Sequence, residues 1–200
     1  GKMKSREGTV VDADDLMDEM VAMAKQKTEE LGKTAFSDAE IDELSETIGL
    51  GALKYFILKV DPKKNILFNP DESIDLNGNT APFIQYTYAR ICSLLRKSTE
   101  ASLPLTTVDI SRQDTEKEIL RLLYAYPETI ETASEDLNPS LIANYIYELV
   151  KVYNRFYQET PILKEENQAL RLFRLHLSAF TARTVSDAMS LLGINMPERM

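Results

Sequence analysis

Apolar positions recur at spacings of three and four along most of this 200-residue chain, the period of helices rather than strands. Leu16, Met20, Met23 and Ala24 mark the face of a first helix. Asp12 or Asp14 is placed to cap its start, acids crowd its first turn as the helix dipole favours, and Gly32 is placed to close it. Ser37 followed by Glu40 is a capping-box pattern, and Ile41, Leu44, Ile48 and Leu53 carry the face of the helix it opens. The rhythm then breaks. Residues 55–60 are aromatic and aliphatic, Asp61-Pro62-Lys63-Lys64 turns them, and Ile66-Leu67-Phe68 follows. This predicts a small non-helical insert near residues 55–70, as a short hairpin or an extended piece. Asn77-Gly78-Asn79 is a turn, and Thr80 caps a helix with Pro82 in its first turn, running to about Lys97. Further helices are predicted over 114–126, 139–158 and 165–192, with polar connectors at 98–110 and 127–138 that contain Pro104 and Pro127. Gly193 stops the last helix, and Pro197 prevents its resumption. The pattern predicts an all-α helical bundle with that one insert.

Composition narrows the class. A hydrophobic fraction of 44% is enough for a sizeable core. No apolar run approaches the roughly 18 residues of a membrane span, and no apolar leader stands at the start, so neither a membrane partner nor secretion is expected. The one cysteine, Cys92, excludes an internal disulfide framework and fits a reducing, cytoplasmic setting. Set among Ile91, Leu94 and Leu95, it reads as a small buried hydrophobe rather than a nucleophile. With His176 the only histidine, no metal site is expected.

Charge argues at first against a nucleic-acid partner. The net charge is −9, concentrated in residues 1–60, which hold 8 basic and 13 acidic side chains. A protein that wraps phosphate needs a basic face, and DNA is not an expected partner here. Recognition of unpaired RNA bases by stacking and hydrogen bonding has no such need.

Two aromatic groupings supply candidate chemistry. On the helix from Phe83, at about 100° per residue, Ile84, Tyr88, Ile91 and Leu95 form the core stripe. Phe83, Tyr86 and Arg90 form a second stripe more than a quarter turn away. Aromatic rings and an arginine on a rigid element are what base stacking requires. The same residues also suit packing on a neighbouring helix, with Arg90 paired to a carboxylate. The second grouping is Tyr153-Asn154-Arg155-Phe156-Tyr157. Ile142, Ile146, Leu149, Tyr153 and Phe156 make an apolar stripe, so Tyr153 is either core or contact, while Tyr157 lies at the stripe's edge.

Three segments carry a family resemblance. Residues 77–91 contain Gly78-Asn79-Thr80-Ala81-Pro82, pass through Gln85-Tyr86 and Ala89-Arg90, and lead to Leu95-Arg96-Lys97. The chain ends in Gly193 and Pro197-Glu198-Arg199-Met200. It starts with Lys2-Met3-Lys4-Ser5-Arg6, similar to the Lys-Met-Ser-Lys-Ser loop of class I synthetases. Together they resemble the C-terminal part of an arginyl-tRNA synthetase. The resemblance implies a division into a remnant of the catalytic domain (1–11), a connecting helical segment (12–74) and an anticodon-binding domain of the DALR type found in class Ia synthetases (75–200). It implies anticodon contacts by Phe83, Tyr86, Arg90, Tyr153, Tyr157 and Met200. Lys2 matches the first lysine of the ATP loop. Ser5 stands where the general motif has its second lysine, and Lys4 or Arg6 would substitute.

The resemblance also implies what lies elsewhere. No His-x-Gly-His occurs, so ATP, Mg²⁺ and L-arginine are expected to act through a catalytic domain that this chain lacks, with no cofactor bound here. The implied partner is the anticodon stem-loop of tRNA(Arg). The alternative is a non-enzymatic helical module whose aromatic rows bind a partner helix.

Overall fold

The computed structural model describes residues 12–30, 36–98 and 113–200. Among these the chain forms α1 (Ala13–Glu30), α2 (Asp38–Leu58), α3 (Pro70–Ser73), α4 (Ala81–Arg96), α5 (Asp114–Glu135), α6 (Pro139–Glu159) and α7 (Gln168–Leu191), with a 3₁₀ turn at Ile162–Lys164 before α7. The protein is all-helical there, as the spacing predicts.

Local chemistry sets most boundaries. Ser37 and Glu40 close the predicted capping box, with the Ser37 amide donating to Glu40 Oε2 at 2.8 Å. Thr80 caps α4 by accepting from the Phe83 amide at 3.3 Å. Asn167 caps α7, which therefore begins three residues later than the periodicity suggests. Gly193 takes the left-handed conformation (φ 68°) that ends α7, and the Ile194 amide reaches back to the Met189 carbonyl at 3.0 Å.

Two predicted boundaries are corrected. The insert begins at Lys59 rather than residue 55, and no strand pairing occurs among the described residues. Tyr55 continues the buried face of α2 through Leu44, Ile48 and Ala52, and it is fully buried. The aromatic and aliphatic run that suggests a hairpin or an extended piece is the apolar end of a helical stripe. The second correction concerns 127–138, which is not a connector: α5 runs on through Pro127 to Glu135. Proline inside a helix costs about 3 kcal/mol. Here Ile119, Leu123, Tyr126 and Ala133 hold one face against the core on both sides of it, and Pro127 itself is exposed. Packing outweighs the lost backbone bond.

The helices enclose two cores. The smaller joins α1, α2 and the segment after α3 through Met20, Ala24, Leu44, Ile48, Ala52, Leu53 and Ile74. Gly49 lets the first two helices cross closely, since a Cβ there would stand 2.7 Å from the Met20 carbonyl oxygen. The larger core is built by α4–α7 around Ile84, Ile91, Ile119, Ile146, Leu149, Tyr153 and Phe156. Tyr55 of α2 enters it and ties the two together.

Candidate nucleic-acid interface

The site is founded on the turn before α4. Gly78 (φ 149°) turns the chain. Thr80 Oγ1 donates to the Asp75 carbonyl, and Lys59 Nζ donates to the Asn79 carbonyl at 3.0 Å. Asn79 Nδ2 donates to Asn144 Oδ1 of α6 at 3.2 Å. These bonds fix where α4 starts and therefore which way its faces point. Its core face is the predicted one: Ile84 and Ile91 are fully buried and Leu94 joins them, while Tyr88 and Leu95 pack at the margin.

The second face of α4 lies beside α6. Phe83 meets Tyr147 with ring centroids 5.9 Å apart. Two turns further on, Arg90 Nη1 donates to Asn154 Oδ1 at 2.6 Å. The Arg90 guanidinium lies over two rings, 4.8 Å from the centroid of Tyr86 and 5.2 Å from that of Tyr157. Both distances are within cation–π range. Among the described residues no carboxylate reaches Arg90 to form an ion pair, so the alternative role as a carboxylate partner is not realised.

Arg90, Tyr86 and Tyr157 line an open cleft of about 520 Å³. Arg96, Lys97 and Arg199 stand around it, and Met200 closes one side. Met200 and Tyr86 also wall a neighbouring, more apolar pocket of about 320 Å³ with Ala24, Ile48, Ile74 and Pro82. The volume of either pocket suits a planar ring system, and the Arg90 cation in the cleft's lining suits an electron-rich face or an acceptor edge.

The C-terminal segment reaches this position because it is docked along its length. Ile194 is buried in the larger core. Gln85, itself fully buried on α4, donates from Nε2 to the Asn195 carbonyl at 2.9 Å and to the Thr47 carbonyl at 3.2 Å. Gly51 leaves room for that amide: a Cβ there would lie 2.8 Å from Gln85 Nε2. Lys54 Nζ donates to the Gly193 carbonyl at 2.7 Å. Arg96 Nη2 donates to the Glu198 carbonyl at 3.2 Å, and Arg199 lies 3.7 Å from Glu40 and over the Phe36 ring. The Ser37 amide holds the Glu40 carboxyl below its ordinary range, so its charge persists for Arg199.

Of the residues expected at the site, Tyr86, Arg90, Tyr157 and Met200 converge on one cleft. Phe83 shares their face of α4 but is partly buried against Tyr147 and does not line the cleft. Tyr153 resolves to core: it is fully buried, donates to Ser178 Oγ at 2.9 Å, and sits under Tyr157 at 6.4 Å. Burial raises its hydroxyl pKa well above the ordinary tyrosine value, so it remains a neutral donor. Lys2, Lys4 and Arg6 lie outside the described residues. Sequence reasoning missed Asn154 and Tyr147. A polar residue beside the apolar stripe of α6 is the signal for Asn154, which is 9% exposed. Tyr147 is recognisable only once α4 and α6 are known to lie side by side. Among the described residues no cluster of histidine, cysteine or carboxylate side chains is arranged to hold a metal, and no helix is long and apolar enough to cross a membrane.

Comparison with known proteins agrees with this geometry. The chain is 54% identical over its whole length to an arginine–tRNA ligase of Phocaeicola vulgatus and 56% identical to that of Flavobacterium psychrophilum. It spans about a third of these relatives, 34% and 33% of their length. Among solved structures it is similar to Thermus thermophilus arginyl-tRNA synthetase, with a TM-score of 0.87 at 28% identity over 100% of this chain and 34% of that one. It is also similar to the enzyme of Plasmodium falciparum, with a TM-score of 0.80 at 28% identity over 96% of this chain and 34% of that one. Residues 84–200, which carry the cleft's α4 and α6 walls and its C-terminal edge, match the DALR anticodon binding domain, and the chain belongs to that family.

Proposed function

We propose that this chain serves as the C-terminal, tRNA-holding region of an arginine–tRNA ligase and that its cleft receives unpaired bases of the tRNA(Arg) anticodon loop. The observation that carries the assignment is Arg90, a half-buried cation lying over the rings of Tyr86 and Tyr157 with no carboxylate among the described residues to neutralise it. A base placed in the cleft gains a ring face from Tyr86 or Tyr157, donors from Arg90, and an apolar edge from Met200. Phe83 and Tyr153 serve that surface indirectly, by holding α4 and α6 and by seating Tyr157. Residues 75–200 are the binding unit, and 12–74 connect it to the rest of the parent chain.

In this reading the task is positioning. Holding the anticodon loop directs the acceptor end of the tRNA to a catalytic domain elsewhere in the parent. There ATP, with Mg²⁺, forms arginyl-adenylate before arginine is esterified to the tRNA, in the cytoplasm. Residues 1–11 contribute Lys2, with Lys4 or Arg6, to the loop that steadies charge on the leaving pyrophosphate. The 200-residue chain by itself is expected to show no pyrophosphate exchange.

Fluorescence anisotropy with the anticodon stem-loop of an arginine tRNA, beside one whose anticodon bases are replaced, tests the assignment. Binding of the first that is lost with the second is expected. Equal binding of both, or of neither, overturns it in favour of a protein-interaction module.

A further inference from the structure

The way Arg90 is held has its own chemistry. Other arginines of the chain are secured by carboxylates. Arg174, almost fully buried, is bracketed by Glu116 and Glu165 at 2.7 Å each, and Arg155 pairs with Glu118. Arg90 is different. Among the described residues its one hydrogen-bond partner is the neutral amide of Asn154, at 2.6 Å. The bond orders the guanidinium without cancelling its charge.

The amide is itself locked by a directional chain. Thr87 Oγ1 donates its single hydrogen to the Phe83 carbonyl at 2.9 Å. It therefore meets Asn154 only as an acceptor, and Asn154 Nδ2 donates to it at 2.8 Å. With Nδ2 committed to Thr87, Oδ1 must face Arg90. Thr87 is 1% exposed and Asn154 9%, so water does not loosen the arrangement. The run from α4 carbonyl to hydroxyl to amide to guanidinium spans the seam between α4 and α6 and ends at the cleft.

We propose that Asn154 is a positioning residue for RNA recognition: it aims Arg90 between Tyr86 and Tyr157 while leaving the cation's full charge to the ligand. The inference rests on the reading of the cleft given above. An aspartate would accept the same bond, but it would neutralise Arg90 as Glu116 and Glu165 neutralise Arg174. A ligand's acceptor edge or phosphate would then compete with a built-in anion.

The test measures the 200-residue chain and its Asn154→Asp and Asn154→Ala variants against the arginine anticodon stem-loop at several salt concentrations, with thermal melts alongside. Asn154→Asp is expected to lower affinity by roughly tenfold or more and to reduce the salt slope by about one. Asn154→Ala removes both bonds but adds no charge. It is expected to lower affinity several-fold with the salt slope retained, and it decides the matter if Asn154→Asp does not fold. A merely structural asparagine would give two variants with the same slope and with affinity losses that track the melts, and that result overturns the proposal. Wild-type binding together with an Asn154→Asp variant of unchanged affinity and slope overturns it while leaving the cleft's assignment standing. Failure of the wild type to bind the stem-loop at all overturns the assignment first, and this inference with it.

Discussion

At the scale of single residues, neighbouring positions on α4 have opposite duties. Arg90 and Ile91 are adjacent in sequence, yet Ile91 is fully buried and Arg90 faces the cleft. Arg90→Ala removes two ring contacts and one hydrogen bond at a half-exposed site, with Asn154 still held by its bond to Thr87. It is expected to cost about 1 kcal/mol of stability and to weaken stem-loop binding by roughly 1–3 kcal/mol. Ile91→Ala leaves a cavity in the larger core and is expected to cost about 2–5 kcal/mol, affecting RNA only through unfolding. Melts and titrations on both variants separate the two duties; an Arg90→Ala protein that melts early yet binds RNA normally when folded would make Arg90 a scaffold residue. Cys92 is only partly buried, not the fully buried hydrophobe its neighbours suggest. Burial pushes its thiol pKa up, and that outweighs the nearby Tyr88 hydroxyl, so less thiolate is present at any given pH than for a free cysteine. Alkylation at pH 8 is expected to be slower in the native protein than after denaturation, and equal rates would contradict this.

Elements show how far the chain's pattern could be read. Helix existence followed from the three-and-four spacing, and the caps at Ser37 and Thr80 formed where their side chains allow. The core face of α4 was legible for the same reason. Two features were not. Pro127 looks like a terminator, and only the apolar face shared by both halves of α5 shows why it is not. The division of Tyr153 from Tyr157 needed α7, because the Tyr153 hydroxyl donates to Ser178, 25 residues away in sequence. Docking of residues 194–200 was also hidden, since it depends on Gln85, a polar residue within the core of α4. Gln85→Leu is expected to leave the Asn195 carbonyl unpaired, at a cost of about 1–3 kcal/mol. It should also release the segment that carries Met200 to the cleft. Carboxypeptidase digestion followed by mass spectrometry checks this: rapid loss of Met200 and Arg199 in the variant, against resistance in the wild type, is the expected outcome. Equal resistance would assign the docking to Ile194 and Lys54 instead.

For the whole molecule the governing fact is that an acidic protein, at −9, presents a cationic cleft. Around it Arg96 lies 3.9 Å from Glu198 and Arg199 lies 3.7 Å from Glu40, both pairs substantially exposed. Exposed pairs of this kind are worth little in stability, but they reduce the positive potential left for phosphate. Lys97 and Arg90 carry no ion pair among the described residues. Such a surface neutralises about three phosphates at most, and single-stranded RNA releases roughly 0.7 counterion for each. The logarithm of the association constant is therefore expected to fall with the logarithm of salt with a slope of about −2. Binding should be weak, because repulsion from the remaining surface opposes approach and base stacking must supply most of the affinity. Titrations between about 50 and 200 mM salt measure the slope directly. A slope nearer −6 would mean that the chain grips the phosphate backbone over a long track. The cleft of Tyr86, Arg90 and Tyr157 would then not be the principal contact.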